Sequence, residues 1–427
     1  MKKRVVLIIV TGFISLFSFG QNIDKIINAA EVERIERVLS ADDMQGRKTF
    51  TPGIDKAADF VAAEFSKIKS LKYLNGSNSW FQEFSLIKTK TISSSVTINN
   101  ISVDPANFVI NSTSASIDVH SLDGWDQITI KKDDDYFKSL QAAFDGKKNL
   151  VVLVDTAHAA RFKRSKGFIN RARFASPYTQ LLILTTETIA TSLEIHAQNE
   201  LTEQHLKNVV AMLPGKSKKN EYVVFSGHYD HLGIGKVNAN QDSIYNGAND
   251  DAAGTTAVML LANYFSKQKD NERTLIFVAF TAEEIGGYGS QYFSKQLDPS
   301  TVTAMFNIEM IGTESKWGTN SAYITGYEKS DMGKILQNNL SGSKFHFEPD
   351  PYTEQNLFFR SDNATLAKLG VPAHTISTSK MDNEKFYHTQ EDEIETLDMN
   401  NMAEIIKAIA ISSGSIISGK DTPTRIQ

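Results

Sequence analysis

NGANDDAAG, running from Asn246 to Gly254, is the stretch whose reading decides the fold. Two glycines, Gly247 and Gly254, flank the adjacent carboxylates Asp250 and Asp251 and let the backbone turn sharply. Immediately after, Ala257, Leu260, Leu261, Tyr264 and Phe265 recur at three- and four-residue steps, the spacing of one buried helix face. The pattern predicts a helix over 255–266 with both aspartates at its start, where the helix dipole favours negative charge. Taken alone, the pair reads as an acidic helix cap. The neighbouring segments change that reading.

Outward from this turn the chain alternates between strand and helix. Tyr222 to Phe225, Leu275 to Phe280 and Met305 to Ile308 are short apolar runs, separated by helical patterns that include 289–296. Such alternation predicts an α/β fold, a mixed and mostly parallel sheet with helices on both faces. In sheets of this kind ligands sit beyond the carboxyl ends of the strands. The polar residues of interest fall there. SGHYDH, with His228, Asp230 and His231, follows YVVF; TAEE, with Glu283 and Glu284, follows LIFVAF. Glu309 ends AMFNIE, and FYHTQED carries Tyr387 and His388.

These residue types suit zinc, which takes imidazole nitrogen and carboxylate oxygen in low coordination number. Two ions about 3.5–4 Å apart share a bridging group, and each needs about three protein ligands. One bridging aspartate with two further ligands per ion uses five positions. That leaves one member of the Glu-Glu pair free to take a proton from water. Asp230, two residues from His228, is placed to accept the other ring N–H of that histidine.

The ordered motifs GHYDH, NGANDDAAG, FTAEEIGGYGS, NIEMIG and FYHT resemble the co-catalytic zinc aminopeptidases of peptidase family M28. Secreted bacterial leucine aminopeptidases, glutamate carboxypeptidase II and glutaminyl cyclases share this family. The likeness runs from about Val209 to the C-terminus and takes in ADDMQGR and the helix after it. It implies two zinc ions, one held by His228, Asp250 and Glu309, the other by Asp250, Glu284 and His388. It also implies Glu283 as general base, Tyr387 as hydrogen-bond donor to the tetrahedral oxyanion, and Asp230 as partner of His228. The likeness, not physics, selects Asp250 over Asp251 as the bridge. Glu309 stands where many relatives have aspartate, Asn363 where they often have histidine, and Gln390 where proline is common.

The chain has 427 residues, 41% hydrophobic and 22% charged, which fits two or three globular units. MKKRVVLIIVTGFISLFSFG reads as a secretory signal peptide over 1–20, too short for a membrane span. A secreted or periplasmic protein is therefore expected. The chain has no cysteine, so disulfides, thiolate ligands and a lipid-anchor cysteine are excluded. The formal net charge of -5 argues against nucleic-acid binding. The six basic residues between Arg161 and Arg173 are read as a solvated face.

The peptidase domain is expected to begin over 21–90, with a helix at Asp55 to Ile68, and to resume over 201–427. Alternating SSSVTINNISV and SASIDVHSL predict half-exposed strands. The intervening 91–200 is accordingly read as an inserted β-rich domain, in the place of the protease-associated domain of some relatives. Of the remaining histidines, His231 is assigned packing or hydrogen bonding, His374 the core, and His205 and His346 loops or surface. His120, His158 and His196 fall in the insert with no metal-like pairing.

These readings imply a peptidase acting on free N-termini. A metallo-carboxypeptidase or N-acyl deacylase, a glutaminyl cyclase and an inactive binding module remain open. The deacylase reading calls for a lid domain between the last two ligands, and only 79 positions separate Glu309 from His388. Side-chain preference and oligomeric state are not encoded in any legible pattern.

Overall fold

The computed structural model describes residues 23–74 and 76–426, so the expected signal peptide lies outside the described residues. The chain forms two compact units, one from the residues up to Glu83 with Leu206–Gln427, the other from Phe84–His205.

The first unit opens with helices α1 (Ala29–Leu39) and α2 (Pro52–Ser66). Asn28 caps α1 by accepting the Glu31 N–H, and Val32, Ile35 and Leu39 are buried at helical spacing. Proline at the first turn starts α2, which buries Ile54, Ala58, Val61 and Phe65. Between them the ADDMQGR segment forms a short 3₁₀ turn ending at Arg47.

Strand β1 (Phe81–Ile98) carries the chain into the second unit. There β2 (Phe108–Asn111), β3 (Ser116–Val119), β4 (Trp125–Ile130), β5 (Asn149–Asp155) and β6 (Gln180–Thr185) follow, with helices α3 (Tyr136–Asp145) and α4 (Ala159–Ile169). The sheet order is β2-β6-β5-β4, with β4, β5 and β6 mutually parallel. Strand β5 is buried on both faces. Val151 and Leu153 pack with Ile117 and Ile195, while Leu150, Val152 and Val154 pack with Tyr136, Leu140, Phe162 and Ile169 of the helices. The alternating pattern predicts half-exposed strands, whereas β4, β5 and β6 form a parallel sheet that packs against α3 and α4. The sequence of α4, AARFKRSKGFI, carries basic residues over most of its surface and so masks its narrow apolar face.

Strand β7 (Leu193–Leu213) returns the chain; its first half pairs with β3 and its second half with β9 (Arg273–Phe280), both antiparallel. The first unit is completed by β8 (Lys218–His228), β10 (Val302–Ile308), β11 (Ser321–Ile324), β12 (His346–Pro349) and β13 (Ala373–Ser377). Its helices are α5 (Ala253–Gln268), α6 (Tyr288–Lys295), α7 (Met332–Asn339), α8 (Asn363–Ala367) and α9 (Met399–Ser412). The strand order is β12-β11-β13-β10-β8-β9-β7, with the central β13, β10, β8 and β9 parallel. This is the mixed α/β sheet that the alternation implied.

Successive residues of the central strands enter different cores. Phe225, Leu275, Phe277 and Phe306 join the helices α1, α2, α5 and α9 on one face. Val224, Ile276, Val278, Phe280 and Met305 join Phe293 of α6 and Leu366 of α8 on the other. Phe225 stacks on Phe306 at 4.9 Å and on Phe277 at 5.6 Å between centroids. Each such ring contributes about 1.5–3 kcal/mol by burial. Helix α5 is buried on nearly every side, not on one face alone, because α1 and α9 cover what the sheet does not.

Candidate metal centre

The parallel strands end together, and their carboxyl ends deliver the polar residues. His228 is the last residue of β8, Glu283 and Glu284 follow β9, and Glu309 follows β10. Asp250 lies in the turn Ala248–Ala252 before α5 and is almost fully buried. The peptide bond between Asp250 and Asp251 is cis.

The two oxygens of Asp250 face different imidazoles. Oδ1 is 3.2 Å from His228 Nε2, and Oδ2 is 3.2 Å from His388 Nε2. His228 Nε2 is also 3.8 Å from Glu309 Oε1, and His388 Nε2 is 3.2 Å from Glu284 Oε2. Thus His228, Asp250 and Glu309 converge on one side of Asp250, and Glu284 and His388 on the other. Burial alone would raise Asp250, but hydrogen bonds with His228 and His388 hold it well below the ordinary carboxylate range. Burial would lower His388, and the carboxylates of Asp250 and Glu284 instead push it up to about 10. Glu283 moves well above its usual value through loss of solvent, with the charges of Glu309, Asp362 and Glu284 outweighing His228. Tyr387 stacks on His388 with centroids 3.9 Å apart.

Two features, at Asp230 and Gly254, depart from the sequence expectation. Asp230 meets His228 through its backbone carbonyl, 3.0 Å from Nδ1, while its carboxylate oxygen lies 3.8 Å away. That carboxylate instead accepts the backbone N–H groups of Glu283 and Glu284 at 3.0 and 3.2 Å. It is turned toward the strand-end loop because those amides have no strand partner left there. His231 takes the hydrogen-bonding role expected of it. Its Nδ1 is 2.8 Å from Glu284 Oε1 and 3.9 Å from Asp250 Oδ2, so it fixes one oxygen of Glu284 and leaves the other toward His388. Gly254 does not make a turn. It sits in α5, where a Cβ would lie 2.1 Å from the Ile308 carbonyl, so its role is close approach of helix to strand. Gly247 does turn the chain, at φ +58°.

Several supporting contacts were not read from the sequence, which offered Asp251 only as half of an acidic helix cap. Asp251 accepts the N–H groups of His228, Gly254 and Met310, each at 3.0 Å, tying β8, α5 and β10 together. Asp392 accepts those of Asn249 and Asp250 at 2.8 and 3.0 Å, and burial pushes it up to about 6. Arg47, fully buried, donates to four carbonyls, those of Tyr229, Leu39, Asn246 and Gly247. Ser361 donates to Glu309 Oε2, and Asn307 donates to Ser361 at 2.6 Å. Only the ADDMQGR likeness pointed toward any of these, at Arg47. Asn363 is buried and bonds the carbonyls of Phe358 and Ala373, and Gln390 bonds the Lys236 carbonyl. A cavity beside Glu309 and Tyr387 is walled by Tyr323, Leu357, Met381 and Arg360.

Residues 208–412, just under half of the chain, match the model of peptidase family M28. A probable zinc metalloprotease of Pyrenophora teres f. teres (strain 0-1) is 30% identical over 174 residues, covering 39% of this chain and 35% of that protein. Leucine aminopeptidase 1 of Ajellomyces dermatitidis (strain ER-3 / ATCC MYA-2586) is 29% identical over 271 residues, covering 59% of this chain and 66% of the relative. The chain thus spans about a third of the first relative and just under two thirds of the second. Among solved structures, an aminopeptidase from Aneurinibacillus sp. strain AM-1 superposes with a TM-score of 0.56 at 15% identity, covering 92% of this chain and 95% of its own. A zinc aminopeptidase from Bacillus subtilis gives a TM-score of 0.56 at 16% identity, with 93% and 97% covered. At such identities the likeness is one of fold. Among the described residues no helix is long and apolar enough to cross a membrane.

Proposed function

We propose that the protein is a secreted zinc-dependent peptidase that removes residues from free peptide N-termini, with two zinc ions and Glu283 as its general base. The observation that carries this reading is Asp250, whose two oxygens each stand 3.2 Å from a different imidazole. The donors suit zinc: imidazole nitrogen, carboxylate oxygen and no thiolate. Further support comes from His228 Nε2, which is buried 3.2 Å from Asp250 Oδ1 and 3.8 Å from Glu309 Oε1. It is aimed at two carboxylates, as a ligand nitrogen would be. His228, Asp250 and Glu309 would hold one ion, and Asp250, Glu284 and His388 the other. The ions, when bound, supply Lewis acidity to the scissile carbonyl and to the attacking water.

The protein's own groups do the rest. Glu283 takes a proton from the attacking water and delivers it to the leaving amine. Loss of solvent raises its proton affinity, which favours holding the proton between the two transfers. The Asp230 carboxylate holds the Glu283 and Glu284 amides, which sets the spacing between base and ligand. The Tyr387 hydroxyl donates to the developing oxyanion, and burial raises its pKa and keeps the hydroxyl protonated.

The deacylase reading calls for an interrupting lid between Glu309 and His388, whereas both residues and the chain between them belong to a single unit. The aminopeptidase reading is tested with aminoacyl-anilides and their N-blocked counterparts. The free-amine substrates are cleaved in a chelator-sensitive manner, and Glu283→Gln loses about 10²–10⁴-fold in kcat while keeping its zinc. Cleavage of the blocked substrates alone overturns the assignment.

A further inference from the structure

The inserted unit joins three side chains that the sequence holds apart. Strands β3 and β7 pair antiparallel with Asp118 opposite His196, and His120 stands two residues beyond Asp118 on the same exposed side. The 76 positions between His120 and His196 concealed a pairing that strand register creates. His196 Nδ1 is 2.6 Å from Asp118 Oδ1, and His120 Nε2 is 3.3 Å from Asp118 Oδ2. The two imidazole centroids are 5.3 Å apart. One donor atom from each residue lies within 4.8 Å of the other two. Continuing the register places Glu194, also exposed, across from His120.

We propose that Asp118, His120 and His196 form a surface site for a divalent first-row transition ion, of the zinc, nickel or copper type. Two imidazoles and one carboxylate select these ions, whereas calcium and magnesium require oxygen donors throughout. An ordinary exposed ion pair accounts for one histidine on Asp118. It does not account for a second imidazole turned to the other oxygen. A tetrahedral ion with bonds of about 2.0–2.1 Å sets its donors roughly 3.3–3.4 Å apart. One donor atom of each residue already lies within 4.8 Å of the other two, so side-chain shifts of about 1–1.5 Å bring the three to that spacing. The His196 side chain is 51% exposed, so its rotamers are free to shift. Water completes the coordination on the open side.

The test counts ions in the full chain. Zinc-loaded protein is dialysed against buffered low-micromolar zinc, and bound metal is measured by inductively coupled plasma mass spectrometry. His120→Gln and His196→Gln each carry one zinc fewer than the unmodified protein, and their weakest calorimetric binding step is lost or weakened by about tenfold or more. Equal zinc content and an unchanged weakest step in both variants overturn the site. The readout is a difference between chains, so it stands whatever number of ions gathers around Asp250. All three positions are exposed, and coincident melting curves verify that each variant folds. If either variant melts early, Asp118→Asn replaces it with the same expectation.

Discussion

Glu36 offers a direct measure of how strongly this interior resists charge. It lies on α1 with no exposed surface, and neither carboxylate oxygen has a hydrogen-bond partner among the described residues. Burial pushes its pKa from 4.5 to about 8, with Thr256 and Arg47 pulling it back only in part. A carboxyl raised in this way binds its proton more tightly in the folded chain than in the unfolded one. Below about pH 4.5 both states are protonated and the group costs nothing. From there to about pH 8 the unfolded chain releases its proton first, so stability falls; above pH 8 the loss levels off. At about 1.4 kcal/mol for each tenfold change in proton affinity, the loss between pH 5 and pH 9 is on the order of 4 kcal/mol. Glu36→Gln removes that slope while keeping the shape. Whatever the buried amide costs is the same at every pH, so the informative quantity is the stability difference between variant and unmodified protein. Urea unfolding followed by tryptophan fluorescence, at fixed free zinc, gives that difference at pH 5, 7 and 9. It rises by several kcal/mol in favour of the variant across this range. Parallel stability curves refute the claim that Glu36 is folded as a neutral acid.

Further outcomes follow from the same contacts. Arg47→Met deprives four carbonyls of their donor and leaves Asp392 and Glu36 without a nearby positive charge, costing about 3–5 kcal/mol in urea unfolding; a loss below about 1 kcal/mol contradicts the role assigned to Arg47. Gly254→Ala forces a methyl group against the Ile308 carbonyl and the Asp251 carboxylate, so α5 moves off β10 and the melting temperature drops by several degrees; an unchanged melting temperature refutes the close-packing argument. Dialysis against a chelator lowers the melting temperature, and zinc at about 100 times its dissociation constant restores roughly 2.7 kcal/mol, read by calorimetry with and without added zinc. Identical melting in both conditions contradicts metal binding at Asp250.

The legible parts of the sequence are those whose meaning is local. Strands β8, β9 and β10 are apolar on both faces, because helices cover both, and such runs stand out in any window. A residue following such a run is carried to the sheet's carboxyl edge by the strand itself, so His228, Glu283, Glu284 and Glu309 could be placed before any tertiary contact was known. The Asp250–Asp251 pair was legible through Gly247, which marks the turn, and only the family likeness singled out Asp250. What escaped depends on partners far along the chain. Arg47 reaches carbonyls 182, 199 and 200 positions away, and nothing in its own neighbours encodes that. Asp251 and Asp392 act on backbone amides, which every residue carries, so no side-chain pattern records their targets.

The same division explains the structure of the site. Four carboxylates, Asp250, Glu283, Glu284 and Glu309, are gathered at the ends of parallel strands, where their mutual repulsion opposes folding. Part of the counterweight is backbone, beside the imidazoles of His228 and His388. Asp230, Asp251 and Asp392 each spend their oxygens on amides of the loops that bear the reactive residues, and Arg47 closes the far side of the Asn246–Gly247 turn. Rigid loops hold the like charges at fixed separation, facing the imidazoles of His228 and His388. On the function proposed above, a site so arranged is prepared for metal by the fold itself. The supports that sequence patterns fail to reveal are therefore the ones that give the legible residues their chemistry.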